Sequence, residues 1–160
     1  MIVHSGLLRL STAGHGAVAD LTPGVAAVVA ASDIAQGVAT VFAVGATVAV
    51  TTIEHEPGAI ADLGAALERL LPAGADYEHN RRNADTNAHA HLRAAIIGPS
   101  ESVPVVGAEL ALGTWQQIVL LDFDDRPRDR MVRVHVIGAP AAPESGTDPP
   151  GRSTPRSGNP

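Results

Sequence analysis

The sequence predicts an α+β fold in which about three helices pack on mixed or antiparallel sheets. Three observations carry that expectation. Segments rich in Val, Thr and Phe read as strands, segments with apolar residues three and four apart read as helices, and the two kinds interleave without a regular βαβ rhythm. At 160 residues, 45% apolar and 18% charged, the chain has the length and composition of one globular domain with a core. The expected boundaries are a domain over residues 1–138 and a disordered tail over 139–160, where Pro, Gly, Ser and Ala dominate and no apolar period survives.

In order, Leu7 to Ser11 opens the chain as a strand ended by the Gly14-His15-Gly16 turn. Thr22 as cap and Pro23 in the first turn start a helix carrying Val25, Val28 and Val29, which Gly37 closes. Val38 to Val44 and Ala46 to Glu54 read as two strands, or as one strand kinked at Gly45. Pro57 begins the clearest amphipathic helix, with Ile60, Leu63, Leu67 and Leu70 on one stripe, stopped by Pro72 and Gly74. Asn87 can cap a third helix bearing Leu92, Ala95 and Ile96, with Gly98 and Pro99 as its stop. Val103 to Val106, Leu110 to Leu121 interrupted at Gly113, and Met131 to Ile137 complete the strands. The last alternates as an edge or half-buried strand would.

Composition narrows the function classes. A formal charge of -6 argues against non-specific nucleic-acid binding, which needs a basic face. The absence of cysteine removes disulfides and thiolate metal sites, and the absence of lysine removes Schiff-base chemistry. The start lacks the pattern of a secretory signal, and no stretch reaches the roughly eighteen apolar residues of a membrane span, so a cytoplasmic protein without membrane contact is expected.

Chemistry concentrates between Tyr77 and His91, which holds three of the seven histidines together with Asp85 and Asn87. On a helix begun at Asn87, His89 lies about 200° around from His91, so one straight helix does not aim both at one ion. An extended backbone would instead align Asp85, Asn87, His89 and His91. The apolar spacing after His91 favours the helix, and the preferred metal ligands are therefore His91 with His79 from the preceding loop, with His89 as a third. Packing histidines are the competing reading, for there is no His-Glu-x-x-His or finger spacing. Elsewhere, Glu54 stands where a strand meets a helix and suits a general base, whereas Glu56 is read as favouring the positive helix start. Gly113-Thr114-Trp115-Gln116-Gln117 holds the only tryptophan. The charged turn Asp122 to Arg128 is read either as a phosphate clamp or, more simply, as a solvated loop with local ion pairs.

Together, Glu54, Tyr77-x-His79-Asn80, Asp85-x-Asn87-Ala88-His89-Ala90-His91-Leu92, Gly113-Thr114-Trp115-Gln116-Gln117-Ile118 and Asp124-Asp125-Arg126-Pro127-Arg128 resemble the YjbQ family over roughly residues 7 to 138. The resemblance implies an α+β homotrimer with a weak secondary thiamine-phosphate synthase activity and a divalent metal, zinc or magnesium, near the histidines. Its implied site residues are His79, His89 and His91 for metal, Glu54, Asp85 and Asn87 for catalysis, and Thr47, Trp115, Gln116 and Arg128 for substrate. Two departures stand out. Gly45-Ala46-Thr47 replaces a His-Thr-Thr string, and Gly107-Ala108 replaces an Asp-Gly turn.

The leading expectation is thus an enzyme joining a pyrimidine pyrophosphate to a thiazole phosphate, a reaction that requires binding of two phosphorylated molecules and neutralisation of a leaving pyrophosphate. Magnesium sits awkwardly with histidine donors. The alternatives are a metal-dependent hydrolase of a small phosphorylated metabolite, with Glu54 or Asp85 as base, and a trimer that binds a small ligand without turning it over.

Overall fold

A computed structural model describes residues 1–141; the rest of the expected tail, residues 142–160, lies outside the described residues. Two antiparallel sheets form the body. The first strand, β1 (Ile2–Thr12), starts five residues earlier than expected and alternates half-buried with exposed positions. A short strand the sequence reading did not anticipate, β2 (Ala17–Asp20), follows the glycine turn. Helix α1 (Thr22–Ala30) corrects the expected cap: Leu21 holds the cap position without a side-chain bond, while the Thr22 hydroxyl accepts the Ile118 N–H at 2.9 Å.

β3 (Gln36–Val44) and β4 (Val48–Ile53) are separate strands in different sheets, which settles the alternative left open at Gly45. Helix α2 (Pro57–Leu70) is capped by Glu56, whose carboxylate accepts the N–H groups of Gly58 and Ala59 at 2.8 and 2.9 Å. Those bonds lower its pKa and agree with the reading of Glu56 as a residue of the helix start. His79 sits in a short helix, α3 (Glu78–Asn83), where a loop was expected. Then come α4 (Ala88–Ile97), β5 (Ser100–Val106), β6 (Glu109–Leu110), β7 (Gln117–Asp122) and β8 (Arg128–Ala139). The fold therefore holds four helices among the described residues, and Ala139, expected in the tail, ends a strand.

The larger sheet runs β1-β8-β3-β5-β6 and the smaller β2-β7-β4. β8 is half-buried, as its alternation suggested, but central: β1 and β3 pair along its two edges. Between the sheets lies the main core, with Val41, Val134, Val50, Ile118 and Leu120 at its centre and Val25 and Val29 contributed by α1. On the far side of the small sheet, Ala49, Val119, Leu121 and Phe123 pack against Leu67 of α2 and Ala90 and Ala94 of α4. The small sheet is thus buried on both faces, which suits the apolar runs Val48-Ala49-Val50 of β4 and Ile118-Val119-Leu120-Leu121 of β7. The outer face of the large sheet stays exposed at Val3, Val38, Phe42 and Ile137. Among the described residues, no helix is long and apolar enough to cross a membrane.

Candidate functional site

The small sheet has two ends, and the candidate residues divide between them. α4 lies along β4, with His91 bonded to the Ala46 carbonyl just before β4 begins and Gly98 accepting the Val50 N–H further along. The β4 residues from Val48 to Ile53 span roughly 17 Å at a rise of about 3.3 Å each. His79, Asp85, Asn87, His91, Thr47 and Arg128 gather at the end where β4 starts. Glu54, Trp115 and Gln116 stand at the other.

At the histidine end, the rings of His79 and His91 touch edge to face with centroids 4.8 Å apart. A carbonyl only accepts, so the 3.1 Å contact from His91 Nδ1 to Ala46 O puts a proton on Nδ1 and leaves Nε2 of the neutral ring with a free lone pair. His79 Nδ1 is occupied by the Asn83 amide at 3.2 Å, so Nε2 is the nitrogen turned inward. It is buried without a hydrogen-bond partner, 3.9 Å from Asp85 Oδ2. Turning the Asn83 amide over places its oxygen on a protonated Nδ1 and frees the His79 Nε2 lone pair as well. A cavity of about 360 Å³, lined by Tyr77, Glu78, His79, Ala88, His91 and Leu92, opens here.

The other candidates in the stretch behave differently. Asn87 occupies the cap position of α4 but makes no capping bond; Asn80 Oδ1 takes the Ala88 N–H at 3.0 Å instead. Asn87 Oδ1 is buried without a partner, and so is His89 Nδ1. Among the described residues, all three orphaned buried side-chain atoms, on His79, Asn87 and His89, fall within this stretch. His89 does not join the other two imidazoles. Its charged neighbours are Arg93, Glu68 and Asp125, and burial, with Arg93, holds its pKa below the usual histidine value.

Thr47 and Arg128 are already engaged. The Thr47 hydroxyl donates to Asp124 at 3.0 Å and accepts from Arg130 at 2.9 Å, and Arg128 Nε donates to Asp124 at 2.8 Å. The charged turn is thus less solvated than read from sequence: Asp122 is wholly buried and Asp124 nearly so, with Arg130 bonding Asp122 at 2.5 and 2.6 Å. Burial alone would raise Asp124, but hydrogen bonds from Arg128 and Thr47 outweigh it and hold the carboxyl at about 2. Sequence reasoning missed Arg130, Asn80 and Asn83. A signal for Arg130 was present, since it shares the inward parity of Val132, Val134 and Val136.

At the opposite end, a turn is pinned by Gln116. Its side chain accepts from Gly113 N–H at 3.2 Å and donates to Thr52 Oγ1 at 3.1 Å, while Gln117 accepts the His55 N–H at 2.9 Å. Trp115 projects from this turn and is 71% exposed. A groove of about 570 Å³ runs beside it, lined in part by Glu109, Leu112, Thr114 and Gln116.

A metal fits the histidine end in part. Imidazole nitrogens with one nearby carboxylate suit zinc, and the orphaned His79 Nε2 with the fixed His91 tautomer is the arrangement that metal-binding histidines show. Yet among the described residues no three histidine, aspartate or glutamate groups stand together as a complete metal site.

A family model described as UPF0047 protein YjbQ-like matches residues 7–139. A UPF0047 protein of Methanothermobacter thermautotrophicus is 38% identical over 140 residues, covering 88% of this chain and 96% of that one. One from Archaeoglobus fulgidus is 40% identical over 130 residues, covering 81% and 98%. Among solved structures, a YbjQ-like protein of unknown function from Sulfolobus solfataricus superposes with a TM-score of 0.81 at 31% identity, covering 86% of this chain and 98% of its own. A hypothetical protein from Aeropyrum pernix gives 0.78 at 34%, covering 84% and 98%.

Proposed function

From the premise that this chain belongs to the YjbQ-like UPF0047 family, we propose that it is a metal-assisted enzyme acting on a small phosphorylated metabolite at the His79–His91 pocket, with thiamine-phosphate formation as the reaction its family resemblance implies. The observation that carries the reading is the concentration of orphaned buried polar atoms, His79 Nε2 and Asn87 Oδ1 among them, beside two touching imidazoles. A native protein rarely leaves buried polar groups unpaired; a water, an ion, a ligand or a reaction takes them up.

His79 and His91 would hold the ion, with Asp85 beside His79; His89 faces elsewhere. Zinc matches these donors better than magnesium, which prefers oxygen. When bound, the ion supplies positive charge for a phosphate or pyrophosphate oxygen. Several of the chain's own cations are already committed: Arg128 and Arg130 are held by Asp124 and Asp122, Arg93 by Glu68, and Arg81 and Arg82 by Glu78. That commitment favours a cation from outside. Asn87 Oδ1 accepts a hydrogen bond from substrate, and the Ala46 carbonyl keeps the His91 ring oriented.

Hydrolysis of a small phosphate ester is the second reading, favoured by Asp85. Its carboxylate stands 3.9 Å from His79 Nε2, with side chains about half exposed, an arrangement suited to taking a proton from an attacking water. Metal content and equilibrium dialysis with zinc test the site: wild type is expected to bind one ion per chain, and His91→Ala to lose at least about tenfold in affinity. Unchanged binding in that variant removes the ligand assignment. Assays with the two thiamine-phosphate precursors and with simple phosphate monoesters then separate the reactions.

A further inference from the structure

Helix α2 carries the clearest apolar stripe in the sequence, yet it is not fully seated. Leu67 is buried, whereas Ile60 and Leu63 are only half-buried. A cavity of about 230 Å³ lies along that stripe, lined by these three residues together with Val18 of β2, Leu121 of β7 and Phe123 just beyond it. It shares no lining residue with the His79–His91 pocket. Arg93, which also lines it, stands two positions after His91 on α4 and so about 200° around that helix. Three lining residues carry polar side chains: His15, Glu68 and Arg93. Arg93 is 9% exposed; its Nε donates to the Leu71 carbonyl and its Nη2 to that carbonyl and to Glu68, while Nη1 has no partner among the described residues. The hydrogen bond from Arg93, with a second from the Ala73 N–H, lowers the Glu68 pKa and keeps the pair ionised. His15 is exposed, held at a φ of 55° between Gly14 and Gly16, and its N–H is pinned on the Asp124 carbonyl at 2.6 Å. Gly64 lines the cavity from within α2, where glycine is less stable than alanine, although a Cβ there would meet nothing within 4 Å. Packing does not demand that glycine, and its missing side chain keeps the space open.

We propose that this cavity is a second binding site, for a small neutral ring that carries a hydrogen-bond acceptor and donor side by side, a carboxamide being the simplest case. The ligand is neutral because Arg93 and Glu68 already cancel, so that a net charge of either sign meets one like charge in a half-enclosed space. The polar edge follows from what the pair leaves unused. A carbonyl oxygen accepts from Arg93 Nη1, and the adjoining N–H donates to a remaining lone pair of the Glu68 carboxylate. The ring follows from the walls, where Ile60, Leu63, Leu67, Leu121 and Phe123 offer apolar surface. Size sets the upper bound. A cavity of about 150 Å³ takes benzene, so 230 Å³ has room for a ring with about three further heavy atoms. The site needs no ion at His79 and His91, and it stands or falls apart from the function proposed for that pocket.

Benzamide is the probe, titrated into the chelator-treated full chain while backbone amide signals are followed by NMR. Saturable shifts are expected at Gly16, Gly64, Leu67 and Leu121, with benzoate and benzylamine binding at least about fivefold more weakly. No saturation by about 20 mM, benzoate or benzylamine binding as well as benzamide, or shifts confined to Tyr77, His91 and Leu92 would each overturn the proposal. Gly64→Leu fills the open space from an exposed helix position. It is expected to keep or raise Tm while weakening benzamide at least about tenfold, and unchanged binding removes the site. Should that variant not fold, Glu68→Gln decides, because it leaves Arg93 without its counter-charge at nearly constant volume. Benzoate is then expected to gain at least about fivefold over wild type, a reversal that a purely structural ion pair would not give, and no gain overturns the assignment.

Discussion

Two polar clusters stand side by side where β4 begins and β7 ends, and they follow opposite rules. In the network of Asp122, Asp124, Arg130, Thr47 and Thr12, deeply buried charges are matched: Thr12 and Arg130 donate to Asp122, and Thr47 and Arg128 to Asp124. In the histidine cluster a few residues away, His79, Asn87 and His89 each leave a buried atom without a partner among the described residues. The first arrangement suits a structural clamp tying β8 to β7 and the β3–β4 turn. The second suits a place kept for something else. What separates structure from site is therefore not polarity or burial, since both clusters have both, but whether the hydrogen bonds close within the chain.

The comparison can be broken most directly at Arg130. Arg130→Met leaves Asp122 and Asp124 buried without their main cation, and a loss of about 3–5 kcal/mol in urea unfolding is expected. A loss below about 1 kcal/mol would show that the clamp is not structural. Acid offers a second test. Asp122 and Asp124 both titrate below their ordinary value when folded, so the unfolded chain takes up their protons first as pH falls. Their contribution is complete above about pH 4 and is lost as pH falls, for Asp124 towards about pH 2. Arg128→Gln should shift the acid-unfolding midpoint, followed by circular dichroism, to higher pH; an unmoved midpoint would exclude Arg128 as a determinant. The smallest effect is expected on the other side of the comparison. His79→Leu removes an orphaned nitrogen and should change stability by less than about 1 kcal/mol in either direction, while zinc affinity falls. A large destabilisation would make His79 a packing residue.

Much of the fold was legible because its signals are local. Val, Thr and Phe content marked β3, alternation marked β8, Pro57 and its apolar stripe marked α2, and helical geometry at Asn87 to His91 set His89 apart from His91. β2 escaped because four small residues carry no pattern. α3 escaped because Glu-His-Asn-Arg-Arg-Asn has no apolar face; ion pairs of Glu78 with Arg81 and Arg82, three and four residues on, help hold it. The acidic turn was misjudged because the partners of Asp122 include Thr12, distant in sequence, and only the pairing of β1 with β8 brings them together. The division of the candidate residues between two ends of one sheet was likewise invisible to spacing along the chain.

The pairing of β1 with β8 also bears on how the molecule is made. Among the described residues β1 finds its strand partner only in β8, so contacts such as Ser5 with His135 span 130 positions. During synthesis the first strand waits until nearly all of the described chain has emerged, at about 5–20 residues per second. Until then the apolar residues Ile2, Leu8 and Leu10 have no sheet to join, and β3 lacks its neighbour on one side. Folding dominated by such distant pairings is slow, on the order of milliseconds to seconds. A chain released before residue 128 would lack the strand that both β1 and β3 pair with, and truncation there should yield aggregates in place of a smaller folded unit.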